Sequence, residues 1–185
     1  MSQTLTEEQL VQQLKDPATR RQAFSLVIHR YQEQIYWQIR KMVFDHEDSS
    51  DVLQNTLLKA WQALDSFRGD SKLSTWLYTI ARNESLTFLA KRQAEMDMTL
   101  DDPDGYVMDC QEADQYFDGD DAQRLLLEAI AQLPAKQREV FNMRYYDELP
   151  YEDISRITGT SVGALKASYH FAVEKISAYV KKNEI

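Results

Sequence analysis

The chain has 185 residues, 43% of them hydrophobic and 11% aromatic, with a net charge of −9. Those proportions suit a globular protein of one or two domains and exclude a disordered or fibrous chain. Five glycines and four prolines leave few turns between long elements, and a single cysteine, Cys110, excludes an internal disulfide and suits a reducing compartment.

The chain opens MSQTLTEEQL, which lacks the basic-then-apolar pattern of a signal peptide. Thr6-Glu7-Glu8-Gln9 instead fits a helix capping box. No apolar run approaches the ~20 residues needed to cross a bilayer, so a cytoplasmic protein is expected. A long helix is expected from about Ala18 to Phe44, with Phe24, Val27, Ile28, Tyr31, Ile35, Ile39 and Met42 at helical spacing. Asp45 to Ser50 is rich in capping side chains, which places the next helix start near Asp48 to Ser50. That helix is expected to turn Leu53, Leu57, Leu58, Trp61 and Leu64 toward the core. Phe67-Arg68-Gly69-Asp70-Ser71 reads as a turn. A fourth helix then begins near Ser74, carries Trp76, Leu77, Ile80 and Ala81, and ends around Arg92. Trp61 and Trp76 each fall on an apolar stripe and are expected in the core.

From Glu95 to Asp121 the sequence holds eleven acidic residues and no basic one, with Asp-Pro-Asp-Gly at 102–105. Low hydrophobicity with high charge predicts a flexible linker, in which Cys110 would be an exposed, inert thiol. The flanking segments 1–94 and 122–185 each carry a net charge of +1. The acidity of the whole chain therefore says little about what either half binds.

After the linker, Leu125, Leu126, Ala129, Ile130 and Leu133 form a helix that stops before Pro134, and another runs from Ala135 to about Tyr146. Residues 149–176 then read LPYEDISRITGTSVGALKASYHFAVEKI, two short amphipathic segments about Gly159. The layout is that of a helix-turn-helix, whose second helix can enter a DNA major groove. Val162, Leu165, Tyr169, Val173, Ile176 and Val180 form its inward stripe, leaving Ser161, Ala164, Lys166, Ser168 and His170 outward. No strand signal persists. The expected fold is all-α: two helical domains, 1–94 and 122–185, joined by a flexible acidic linker at 95–121, the second domain with a helix-turn-helix.

Catalytic chemistry has no candidate. His29, His46 and His170 are widely separated, and His46-Glu47 is not followed by the second histidine of a zinc helix. There is no phosphate loop or nucleophile elbow. No catalytic residue, metal ligand or cofactor is expected.

Several stretches together resemble one family. Asp51-Val52-Leu53-Gln54-Asn55-Thr56-Leu57-Leu58-Lys59-Ala60-Trp61 is followed by Phe67-Arg68-Gly69-Asp70-Ser71, by Ser74-Thr75-Trp76-Leu77-Tyr78-Thr79-Ile80-Ala81-Arg82-Asn83, and by the helix-turn-helix. In this order they resemble the sigma-70 family of bacterial RNA polymerase initiation factors, of the small two-domain extracytoplasmic-function (ECF) type. The resemblance covers about residues 20–92 and 122–180.

It implies a transcription initiation factor that binds core RNA polymerase through its beta-prime and beta subunits and directs it to promoter DNA. Asp51, Gln54 and Asn55 would contact polymerase on the face opposite Leu53 and Leu57. Asn55 stands where the family usually has an acid, which weakens one charged contact. The loop at 67–71 and the helix after it would open and read the −10 element. Asn83 would meet an unpaired base there, and Arg68, Lys72, Arg82, Lys91 and Arg92 would meet phosphates. The second helix of the helix-turn-helix would read the −35 element through Ser161, Val162, Ala164, Lys166, Ser168 and Tyr169.

Relatives carry a pattern like GTVKSRLHRAREKL here, and three of its arginine positions are Ser168, Phe171 and Val173 in this chain. Fewer cations imply weak DNA binding by this domain alone, even with Arg138, Arg144 and Arg156 nearby. The acidic linker would pass through the polymerase toward the RNA path, or act as a solubilising tether. An anti-sigma protein wedged between the domains is a further implied partner. Two alternatives stand beside this reading: an autonomous helix-turn-helix regulator that binds DNA as a dimer without polymerase, and a module that sequesters a protein partner.

Overall fold

The computed structural model describes residues 5–99 and 121–183. Most of the linker, Cys110 included, lies outside the described residues. The helices fall into two compact units divided between Glu95 and Met96.

In the first unit, α1 (Glu7–Lys15) begins with the expected capping box. The Gln9 N–H donates to Thr6 Oγ1 at 3.3 Å, and the Thr6 N–H donates to Gln9 Oε1 at 3.0 Å. Leu10 and Leu14 bury its inner face. Helix α2 (Arg20–Val43) supplies Phe24, Val27, Ile35 and Ile39 to the same core, as its periodicity predicts. It ends at Phe44, whose φ of 66° is unusual for a non-glycine residue and turns the chain sharply.

Helix α3 (His46–Gln62) starts two residues before the expected window, because Asp45 is its cap and accepts the Asp48 N–H at 2.8 Å. Its core face also differs from expectation. The buried residues are Ser49, Val52, Thr56 and Ala60, with Leu53 packed at the edge. Leu58 and Trp61 are 55% and 39% exposed. Small residues three and four apart let α3 lie close against its neighbours, and this close seat overrides the pull of the larger side chains. The Thr56 hydroxyl donates to the Val52 carbonyl at 2.7 Å, so its burial leaves no unmet donor. Trp61 still touches the core, its ring 5.2 Å from that of Phe24.

A 3-10 turn (Leu64–Ser66) leads through buried Phe67 into the loop before α4 (Leu73–Thr99). Trp76 is half-buried, its ring 4.9 Å from that of Phe67. Helix α4 continues past Arg92 into the segment read as linker. Residues 90–96, Ala-Lys-Arg-Gln-Ala-Glu-Met, are all good helix formers and hold no breaker.

The second unit contains α5 (Asp121–Ala131), α6 (Ala135–Tyr145), α7 (Tyr151–Thr158) and α8 (Val162–Asn183). Ala129, Ile130, Leu133 and Phe141 pack with Ala172 and Ile176. Proline precedes α6 and α7, as Pro134 and Pro150, where a missing N–H costs nothing. Gly159 ends α7 with φ 71° and donates its N–H to the Ser155 carbonyl at 2.9 Å. The helix-turn-helix is thus α7, the turn at 159–161, and α8.

On α8 the buried line is Leu165, Ala172 and Ile176. Val173, expected inward, is 38% exposed, because eight residues beyond Leu165 a helix has rotated ~80° off that line. Ala172 is buried in its place.

No atom lies within 4 Å of a Cβ built on Gly159, so Gly159→Ala should cost only the left-handed backbone penalty, about 1 kcal/mol. Leu165→Ala, at a 1% exposed site, should cost about 3 kcal/mol through transfer and cavity. Urea unfolding of the two variants checks both magnitudes and their order.

Candidate polymerase and nucleic-acid surfaces

The polar face of α3 is the first surface. Asp51, Gln54 and Asn55 are all exposed, and Leu58 continues the same line one turn on. Asp51, in the second turn of the helix, is available to an arginine on a partner. The close seat of the opposite face, from Ser49 to Ala60, keeps this face outward. Leu58, expected in the core, instead adds an apolar centre to this polar patch.

The second surface is the solvent side of α4 together with the loop before it. Lys72, Trp76, Thr79, Asn83 and Thr87 recur at three and four residues along that side. Arg68, Lys72 and Asn83 are exposed, and Arg82 is half-buried beside them. Beneath the loop, the Phe67–Trp76 ring pair forms a firm apolar base. One of the expected phosphate contacts does not join this stripe. Lys91 does extend it, four residues beyond Thr87, and approaches Glu95 at 3.8 Å. Arg92 is nine residues beyond Asn83, about two and a half turns, and so lies on the opposite side of the helix. Its Nη1 pairs with Asp48 Oδ2 at 2.5 Å, both side chains about one-third exposed.

That pair ties α4 to the start of α3. A second pair, Lys59 Nζ to Glu84 Oε1 at 2.5 Å, ties α4 to the far end of α3, with the Glu84 side chain 12% exposed. The helix bearing the polar patch is therefore tied by two ion pairs to the helix bearing the second surface.

In the second unit, Ser161 just before α8 and Ala164 and Lys166 on its first turns are exposed. Ser161 Oγ lies 3.4 Å from the Ala164 N–H, near the position of a cap. Val162 and Ser168 are half-buried. Tyr169 is drawn inward, its ring stacked 5.8 Å from Phe141. Sequence spacing gave no sign of Tyr151, whose ring carries Arg144 Cζ at 5.4 Å and Lys166 Nζ at 5.8 Å. An aromatic residue just after a helix-capping proline was the available signal.

The neighbouring arginines are partly occupied. Arg144 donates to the Leu149 carbonyl at 3.2 Å, Arg138 to the Ala131 carbonyl at 3.3 Å, and Arg156 pairs with buried Asp153 at 3.2 Å. Partial burial raises the pKa of the Tyr146 hydroxyl above its ordinary value, with Tyr145 adding to the shift. Phe171, which replaces an arginine of the family pattern, is 51% exposed. Among the described residues no group of three or more acidic, histidine or cysteine side chains is placed to hold a metal ion. No described helix is long and apolar enough to cross a membrane.

Residues 27–95 match the family model for Sigma-70 region 2, and residues 123–176 match that for Sigma-70, region 4. The chain is 32% identical over 182 residues to the RNA polymerase sigma-H factor of Pseudomonas aeruginosa, covering 93% of this chain and 94% of that protein. It is 30% identical over 189 residues to the ECF RNA polymerase sigma-E factor of Escherichia coli strain K12, covering 98% and 97%. The solved structure of the sigma factor RpoE with the anti-sigma factor NepR from Bartonella quintana matches with a TM-score of 0.69 at 25% identity, over 87% of this chain and 98% of that one. CnrH, solved with the cytosolic domain of CnrY, shares the fold with a TM-score of 0.70 at 20% identity, over 96% and 99%.

If Arg92 is held by Asp48 as a fold contact, Arg92→Ala should lower the unfolding free energy by about 1 kcal/mol, and Lys91→Ala by less than ~0.5 kcal/mol. A urea double-mutant cycle over Asp48 and Arg92 should return a coupling of the same size, and zero coupling would leave the pair without that role.

Proposed function

Because the chain belongs to the sigma-70 family, we propose that it works as an ECF initiation factor whose two helical units divide the promoter between them. It binds core RNA polymerase and directs it to specific promoters. In this reading residues 1–94 dock on polymerase and open the −10 element, residues 95–121 form the tether, and residues 122–185 read the −35 element. The observation that carries the reading is the double tie between α3 and α4. One helix presents Asp51, Gln54, Asn55 and Leu58 for a protein partner, and the other presents Lys72 and Asn83, with Arg68 on the preceding loop, for nucleic acid.

The contacts follow from the surfaces. Asp51, Gln54 and Asn55 meet polymerase. Asn83 offers an amide to the edge of an unstacked base above the Phe67–Trp76 pair, while Arg68, Lys72 and Arg82 meet phosphates. Lys91 extends the stripe at its far end, and Arg92 leaves it, held by Asp48. Ser161, Ala164 and Lys166 face the −35 groove, with Val162 and Ser168 at its edge and Tyr169 supporting the helix from within. The acidic segment 95–121 follows the path of the transcript and is displaced by it, repelling DNA from the free protein meanwhile. An anti-sigma protein is a further partner, as for the RpoE relative, and the protein acts in the cytoplasm without a chemical step of its own.

Run-off transcription with core polymerase on randomised promoter fragments should yield transcripts that depend on the protein and share two upstream elements. The triple variant Asp51→Ala, Gln54→Ala, Asn55→Ala should bind core at least about tenfold more weakly and lose those transcripts. Protein-dependent transcription that survives the triple variant overturns the docking assignment, and its absence with the wild type overturns the function.

Lys166 is the one exposed cation on the first turns of α8. Lys166→Ala should reduce holoenzyme affinity for a −35-bearing promoter about three- to tenfold. It should also make the log–log salt slope shallower by about 0.9, the loss of a single phosphate contact. An unchanged slope would move Lys166 out of the phosphate contacts.

A further inference from the structure

The region 2 match begins at residue 27, so it leaves out α1. Leu10 and Leu14 explain why α1 packs on the core, but its polar side chains are directed elsewhere. Glu7 Oε1 accepts the Leu73 N–H at 2.6 Å. Leu73 is the first residue of α4, so that N–H has no partner within its own helix, and a carboxylate there is also favoured by the helix dipole. Near the other end of α1, Lys15 Nζ donates to the Arg68 carbonyl at 3.3 Å.

Between these two points Gly69 turns the chain with φ 85°. A Cβ built there would touch Val11 Cγ1 and Lys15 Nζ, each at 3.9 Å. Arg20 extends the grip: its Nε donates to the Leu14 carbonyl at 2.9 Å, and its Nη2 pairs with Asp65, just upstream of Phe67, at 2.7 Å. The loop from Arg68 to Lys72 is therefore held at its entrance and its exit by one helix.

We propose that α1 is a positioning element for promoter opening, with Glu7 and Lys15 holding the 68–72 loop in the conformation that receives the −10 strand. The inference rests on the reading of that loop as the −10 contact. The loop is short, exposed and turned by a glycine, so left to itself it would sample many conformations. Each would have to be given up when DNA arrives, and fixing the loop beforehand moves that cost into folding. Neither Glu7 nor Lys15 touches DNA in this account; each acts through the backbone of the loop.

The test uses the full-length protein with core polymerase and a promoter carrying 2-aminopurine in the −10 element. The double variant Glu7→Ala, Lys15→Met should bind core within about twofold of wild type. It should open the duplex promoter about tenfold more slowly, the size expected for losing two charge-assisted hydrogen bonds that act on one step. On a template already mismatched across −10 it should recover wild-type transcription, and Lys15→Arg, which keeps a donor, should open the duplex at nearly the wild-type rate. Wild-type opening by the double variant overturns the proposal, as does a loss of core binding or of helical content, since α1 would then be scaffold alone. Arg68→Ala separates the two levels. If it slows opening and the double variant does not, only the role of α1 fails; if neither slows opening, the loop is not the −10 contact.

Discussion

The close seat of α3 on the first unit is the constraint from which both functional surfaces follow. Ser49, Val52, Thr56 and Ala60 are small enough for the helix backbone to approach its neighbours, and their hydroxyls bond back to the helix itself. With that face fixed, Asp51, Gln54, Asn55 and Leu58 are left exposed. The same seat brings Asp48 and Lys59 within reach of Arg92 and Glu84 on α4. Exposed ion pairs contribute little, but these are partly buried and sit at opposite ends of one helix, so they set an orientation more than a stability. A partner that gripped α3 would thereby also set where the stripe on α4 points.

The second unit is built on the opposite balance. Its helix-turn-helix is well formed, with a left-handed glycine between two helices and a core of Phe141, Leu165, Ala172 and Ile176. The first turns of its second helix expose a single cation, Lys166. Ser168, Phe171 and Val173 stand at arginine positions of the family pattern, and Arg138, Arg144 and Arg156 each spend at least one hydrogen bond within the protein. Such a surface gains little from counterion release and depends on being held near DNA by something else. On the proposed docking of the first unit, attachment to polymerase would supply that effective concentration.

Much of the fold was legible because it is local. The Thr6 capping box, the periodicity of α2, the stop before Pro134 and the turn at Gly159 are each specified within a few residues, and each is found. The phase of α3 was not legible from hydrophobicity: Leu58 and Trp61 outweigh Ser49 and Ala60 on any apolar scale, yet close approach of the backbone decides. The end of α4 was hidden by charge, since a run rich in Glu and Asp resembles a linker even where its first residues are good helix formers. The patch on α3 and the loop before α4 could be named by resemblance. The hold of α1 on that loop could not, because Glu7 and Leu73 are 66 residues apart and nothing in their neighbourhoods links them. The turn of Arg92 toward Asp48 needed the helix axis as well as the sequence.

The central claim is that sequence-specific DNA binding arises only when polymerase joins the two units on one promoter. Fluorescence anisotropy of a labelled promoter duplex, titrated with the protein alone and with the protein bound to core polymerase, tests it most directly. The account requires weak, salt-sensitive and sequence-indifferent binding by the protein alone, and tight binding confined to duplexes with both elements once core is present. Tight operator binding by the protein alone, with the stoichiometry of a dimer and no gain from core, would contradict it.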